Sequence, residues 1–126
     1  MQKPATIDIG FKIDDSKLRN LDIPVEEIEL ETLAHNLDIP YLEQEGTDDW
    51  NLTPRMLLEN LDRNPSHAKR VEEVDLKYPI CIYFHKNQWI IIDGVHRYVK
   101  ALKEKRTSIF AKKLTLNHLL SARIES

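Results

Sequence analysis

At 126 residues the chain has the length of one domain, and 41% apolar with 31% charged side chains describes a folded globular protein, not a disordered one. No stretch approaches the roughly 20 apolar residues that span a bilayer, and the opening Met1-Gln2-Lys3-Pro4-Ala5-Thr6 lacks the apolar run of a signal peptide. The single cysteine, Cys81, can form no internal disulfide, so the expected setting is the cytoplasm, without membrane contact.

The net charge of -3 argues against a general nucleic-acid binder, but it hides an asymmetry. Residues 1–65 carry 15 acidic and 6 basic side chains, and residues 66–126 carry 6 acidic and 12 basic ones. Between Arg97 and Lys113, seven basic residues face Glu104 alone, a local field that an anion would feel.

In chain order, Ile7, Ile9, Phe11 and Ile13 alternate with polar residues or glycine, which predicts a half-buried strand ended by Asp14-Asp15-Ser16. Residues 25–37 read as a short strand passing into a helix on Leu30, Leu33 and Leu37. From Asp38 to Leu52, with Pro40, Gly46, Thr47, Asp48 and Asp49, no period is sustained, and the longest loop is expected there. Thr53-Pro54 starts a helix that ends near Asn64, and Pro65 opens a second with Ala68, Val71 and Val74 on its apolar side.

The pattern then switches to β. Residues 80–84 and 89–92 are two β-branched and aromatic runs around a polar turn at 85–88, and a hairpin is predicted. Asp93-Gly94 breaks the second run, a helix follows to about Lys105, Ser108 to Lys113 reads as a strand, and Thr115 caps a last helix. Strands and helices in this order predict an α+β domain with a small mixed sheet and flanking helices.

The turn Asp93-Gly94-Val95-His96-Arg97 breaks a rule of helix starts. Acids are favoured in a first turn because unpaired N–H groups leave it partly positive, yet here His96 and Arg97 occupy it. An anion at this place removes the conflict. Gly94 lets the backbone approach a phosphate, Arg97 offers a bidentate fork, and His96 adds a donor that switches with pH. Pairing of Arg97 with Asp93, or with an acid from the first half, explains the same residues, and both readings stand at this point. If Arg97 serves a ligand alone, replacing it leaves the stability of the free protein unchanged.

The run Trp89-Ile90-Ile91-Ile92-Asp93-Gly94-Val95-His96-Arg97-Tyr98, a helix containing Ala101 and the strand Ile109-Phe110-Ala111 resemble the core of ParB/sulfiredoxin-like domains. In these an apolar strand leads into a G-x-H-R or G-E-R-R turn that binds nucleotide phosphate. Ile23-Pro24-Val25-Glu26-Glu27-Ile28 is similar to the segment that opens such domains. The resemblance covers residues 21–114, leaving 1–20 as an N-terminal strand and extension and 115–126 as a C-terminal helix. It implies phosphate contacts at Gly94, His96 and Arg97, with Lys100 nearby, and ATP or CTP with Mg2+ as ligand. It also implies phosphotransfer, nucleotide hydrolysis or nuclease chemistry as possible reactions, with Glu26, Glu27 and Glu29 offered by position as bases.

Departures narrow this. Val95 stands where sulfiredoxins place their catalytic cysteine, so sulfinic acid reduction is not expected. Asp48-Asp49 with Asp93 is a thin basis for the clustered carboxylates a metal nuclease needs. The histidines and Cys81 show no metal-ligand spacing, and no metal site is expected. Trp89 and Tyr83 are expected to pack across the hairpin and not to stack a base. The alternative from another class is a non-catalytic accessory module of a plasmid, phage or partitioning system, with nucleic acid or a protein as partner.

Overall fold

The computed structural model describes residues 6–47 and 49–124; Asp48, expected in the long loop, and the outer ends of the two terminal segments lie outside the described residues. Four strands form one mixed sheet in the order β1-β4-β2-β3. They are β1 (Val25–Glu29), β2 (Ile80–His85), β3 (Gln88–Asp93) and β4 (Ser108–Leu114). The hairpin forms as its pattern predicts: His85 pairs with Gln88, and the two residues between them, Lys86 and Asn87, both take positive φ, the backbone that a tight hairpin needs. β2 runs parallel to β4, while β1 closes the far edge antiparallel to β4.

The central strand β2 buries Ile80, Cys81 and Ile82 in succession, because helices cover both faces of the sheet. On one face, Tyr98 and Ala101 of α4 (Val95–Lys103) pack with Ile80, Ile82, Ile90, Ile109 and Ala111. The 3-10 segment Leu30–Asp38 adds Leu30 and Leu33 to this core. α2 (Pro54–Glu59) and α3 (Pro65–Glu73) form an outer layer in which Leu57 and Val71 meet Val99 of α4. On the other face, Leu18 of α1 (Asp15–Arg19) and Leu119 of α5 (Leu116–Ser121) cover Cys81 and Leu114. The protein is thus a small α+β domain, and among its described residues no helix is long and apolar enough to cross a membrane.

Capping follows the sequence. The Thr53 hydroxyl accepts from the Met56 N–H, and Thr115 forms a capping box with His118. The strand expected over 7–13 is corrected. Burial alternates as the pattern requires, with Ile7 buried, Ile9, Phe11 and Ile13 half-buried, and Asp8, Gly10 and Lys12 exposed. The segment does not join the sheet, however; its one bridge joins Ile13 to Arg123. Period-2 burial reports a side-chain face, and this face lies on the core without a strand beside it.

Candidate functional site

β3 delivers Asp93 to the top of the sheet, and the chain turns at Gly94 into α4. Gly94 is the N-cap of α4 at φ +105°, a left-handed backbone that side chains rarely adopt. It gives no side-chain cap, and the first turn of α4 contains no acid, so the helix start is left electropositive. It opens into a cleft of about 640 Å³. Asp93, Gly94, His96 and Arg97 of the turn line this cleft together with Arg19 and Asn20, Arg70, Glu73 and Asp75, and Cys81 and Lys112 of the sheet. The lining carries four cations against three carboxylates.

Asp93 is the organising group. It is 9% exposed, and its carboxylate accepts two bonds from Arg19, Nε to Oδ2 at 3.2 Å and Nη2 to Oδ1 at 3.3 Å. Arg97 adds a third from Nη2 at 3.4 Å, and its Nη1 donates to the carbonyl of Pro79. Of the two uses open to Arg97 in the sequence, its pairing with Asp93 is therefore in place. Arg97→Ala is expected to lower stability by about 2 kcal/mol, because a nearly buried carboxylate and the Pro79 carbonyl each lose a charged donor; a denaturant midpoint checks it.

Lys100 does not line the cleft. Its ammonium donates to the carbonyls of Glu72 (2.9 Å) and Val74 (2.7 Å), closing the C-terminal end of α3. Lys112 does the same for the end of α1, donating to Arg19 O at 3.2 Å and Leu21 O at 3.0 Å. Glu26, Glu27 and Glu29 lie on β1, the sheet edge opposite β3, and none lines the cleft. Glu26 pairs with Lys113 at 3.4 Å, and Glu27 accepts from the Ser108 hydroxyl at 2.6 Å. Trp89 meets Phe84 edge to face, with ring centroids 5.3 Å apart, and so packs on the hairpin, though with Phe84 and not Tyr83. Among the described residues no group of three His, Cys, Asp or Glu side chains could hold a metal ion.

His96 is 8% exposed and stacked on His67 of α3, with ring centroids 5.2 Å apart. Burial, with Arg70 and His67 beside it, lowers its pKa to about 4. The unfolded chain therefore binds a proton near pH 6.5 that the folded protein refuses until about pH 4. Stability is full above pH 6.5 and falls as pH drops through that window. Screening by solvent in the cleft reduces the loss to about 2 kcal/mol. Chemical denaturation across pH 4 to 7 should show this slope in the wild type and a flatter one in His96→Gln.

Arg19, Arg70 and His67 were not legible as site residues in the sequence. Arg70 sits in a helix face that reads as solvated, and Arg19 comes from 74 residues before Asp93. The one available signal was Asp93 itself, an acid closing an apolar strand, which needs a cation from elsewhere. Compared with protein families, with curated proteins and with solved structures, the chain matches none.

Proposed function

We propose that the protein is a ParB/sulfiredoxin-like domain that binds the phosphates of a nucleotide in the cleft at the N-terminus of α4. The observation that carries this is the acid-free, uncapped start of α4 opening into a cleft with more cations than carboxylates. The order hairpin, Gly94 turn, helix, strand supports the family reading. Arg70, exposed and without an ion-pair partner among the described residues, is the cation best placed to meet a phosphate. ATP or CTP would bring its own Mg2+, held through phosphate oxygens and water, since Asp93 is taken up by two arginines.

The position of Glu26, Glu27 and Glu29 on the opposite sheet edge favours binding without turnover, the mode of an accessory module that reads a nucleotide or a nucleic-acid phosphate. Phosphotransfer, hydrolysis or nuclease activity would need a base from within the cleft, where Glu73 and Asp75 are the acids nearest the bulk solvent.

The test is a thermal-shift series with ATP, CTP, GTP and inorganic phosphate, with and without magnesium, on the wild type and Arg70→Glu. At 100 times its dissociation constant a ligand stabilises by about 2.7 kcal/mol. One triphosphate should raise the midpoint of the wild type and leave Arg70→Glu unmoved. An unchanged wild type at millimolar ligand contradicts the proposal.

A further inference from the structure

His67 and His96 form a directional chain. His67 Nε2 lies 2.7 Å from the carbonyl oxygen of Glu43, which can only accept, so this nitrogen carries the proton. In neutral His67 the other nitrogen, Nδ1, is then a bare acceptor, and it lies 3.0 Å from Nε2 of His96. His96 must donate from Nε2, and its own Nδ1 is left as a lone pair. That lone pair has no protein partner among the described residues, and no buried side-chain nitrogen there is without one, so Nδ1 opens onto the cleft that His96 lines. A residue only 8% exposed thus presents a bare acceptor to the cleft into which the helix start also opens.

We infer that His96 is the hydrogen-bond acceptor of the cleft and not one of its phosphate donors, and that the ligand is a phosphorylated alcohol whose hydroxyl donates to His96 Nδ1. This deepens the phosphate-binding reading and rests on it. A bare phosphate dianion offers Nδ1 only acceptors. A phosphate ester with a nearby hydroxyl, of which a ribonucleotide is one kind, satisfies the helix start and the histidine together. The carbonyl of Glu43 and the ring of His67 are positioning groups, since they act only through the tautomer of His96.

Two measurements test this. Imidazole 15N shifts of the free protein at neutral pH should show His96 protonated at Nε2 and bare at Nδ1; the opposite tautomer overturns the inference without any ligand. Calorimetry should then find glycerol 3-phosphate bound about threefold to tenfold more tightly than n-propyl phosphate, which lacks the hydroxyls. His67→Gln, whose side-chain oxygen can still accept from His96, should keep that preference, and His67→Phe should lose it. Equal binding of the two esters overturns the inference while leaving the phosphate site standing. Failure of both esters and of inorganic phosphate to bind overturns the phosphate site and the inference with it.

Discussion

Gly94→Ala is expected to destabilise the protein by about 3 kcal/mol, lowering the thermal midpoint by about 10 °C. Two costs combine. The backbone at φ +105° disfavours any L side chain by at least about 1 kcal/mol. An added Cβ would also stand 2.6 Å from the Cγ2 methyl of Ile80 and 3.2 Å from its Cα. Ile80 is fully buried on the central strand and has no room to withdraw. In an Ile80→Ala background the methyl clash disappears, and the further cost of Gly94→Ala should shrink by 1 kcal/mol or more, a coupling that a double-mutant cycle reads directly. A loss below about 0.5 kcal/mol in the single variant would mean that the turn is not held as described.

Asp93→Asn is expected to act in opposite directions on stability and on binding. It removes the carboxylate that Arg97 and Arg19 share, leaving an arginine that is 13% exposed without that counter-charge, at a cost of about 3 kcal/mol. The same change leaves the cleft one charge more positive, so inorganic phosphate should bind about tenfold more tightly and restore part of the lost stability. Urea denaturation with and without phosphate separates the two effects. Destabilisation that phosphate does not relieve would assign the three groups to the fold alone.

What the sequence made legible follows from how local each signal is. The hairpin, the helix starts at Thr53 and Thr115 and the turn at Gly94 depend on residues within four positions of one another, and all were readable. The register of β4 against β1 and the clamp of Arg19 on Asp93 depend on contacts across the whole chain and left no periodic trace. The segment 7–13 shows the limit of periodicity: its alternation fixed which side chains turn inward, but alternation alone does not supply a neighbouring strand, and the segment's one bridge, Ile13 to Arg123, lies outside the sheet. At the site, the basic first turn of α4 and the Asp93 partner of Arg97 were visible, but Arg19 and His67 were not. Lys100 is drawn to the carbonyls ending α3, and His96 meets His67, only because α3 packs against α4.

The most direct measurement is a titration of the isotope-labelled protein with ATP and with inorganic phosphate, followed by backbone 1H–15N correlation spectra. Binding at the start of α4 shifts the amides of Val95, His96 and Arg97, whose N–H groups face the cleft end of the helix, and moves the guanidinium resonances of Arg70. Shifts confined to the hairpin around Trp89, or none at millimolar ligand, would contradict an anion site at Gly94.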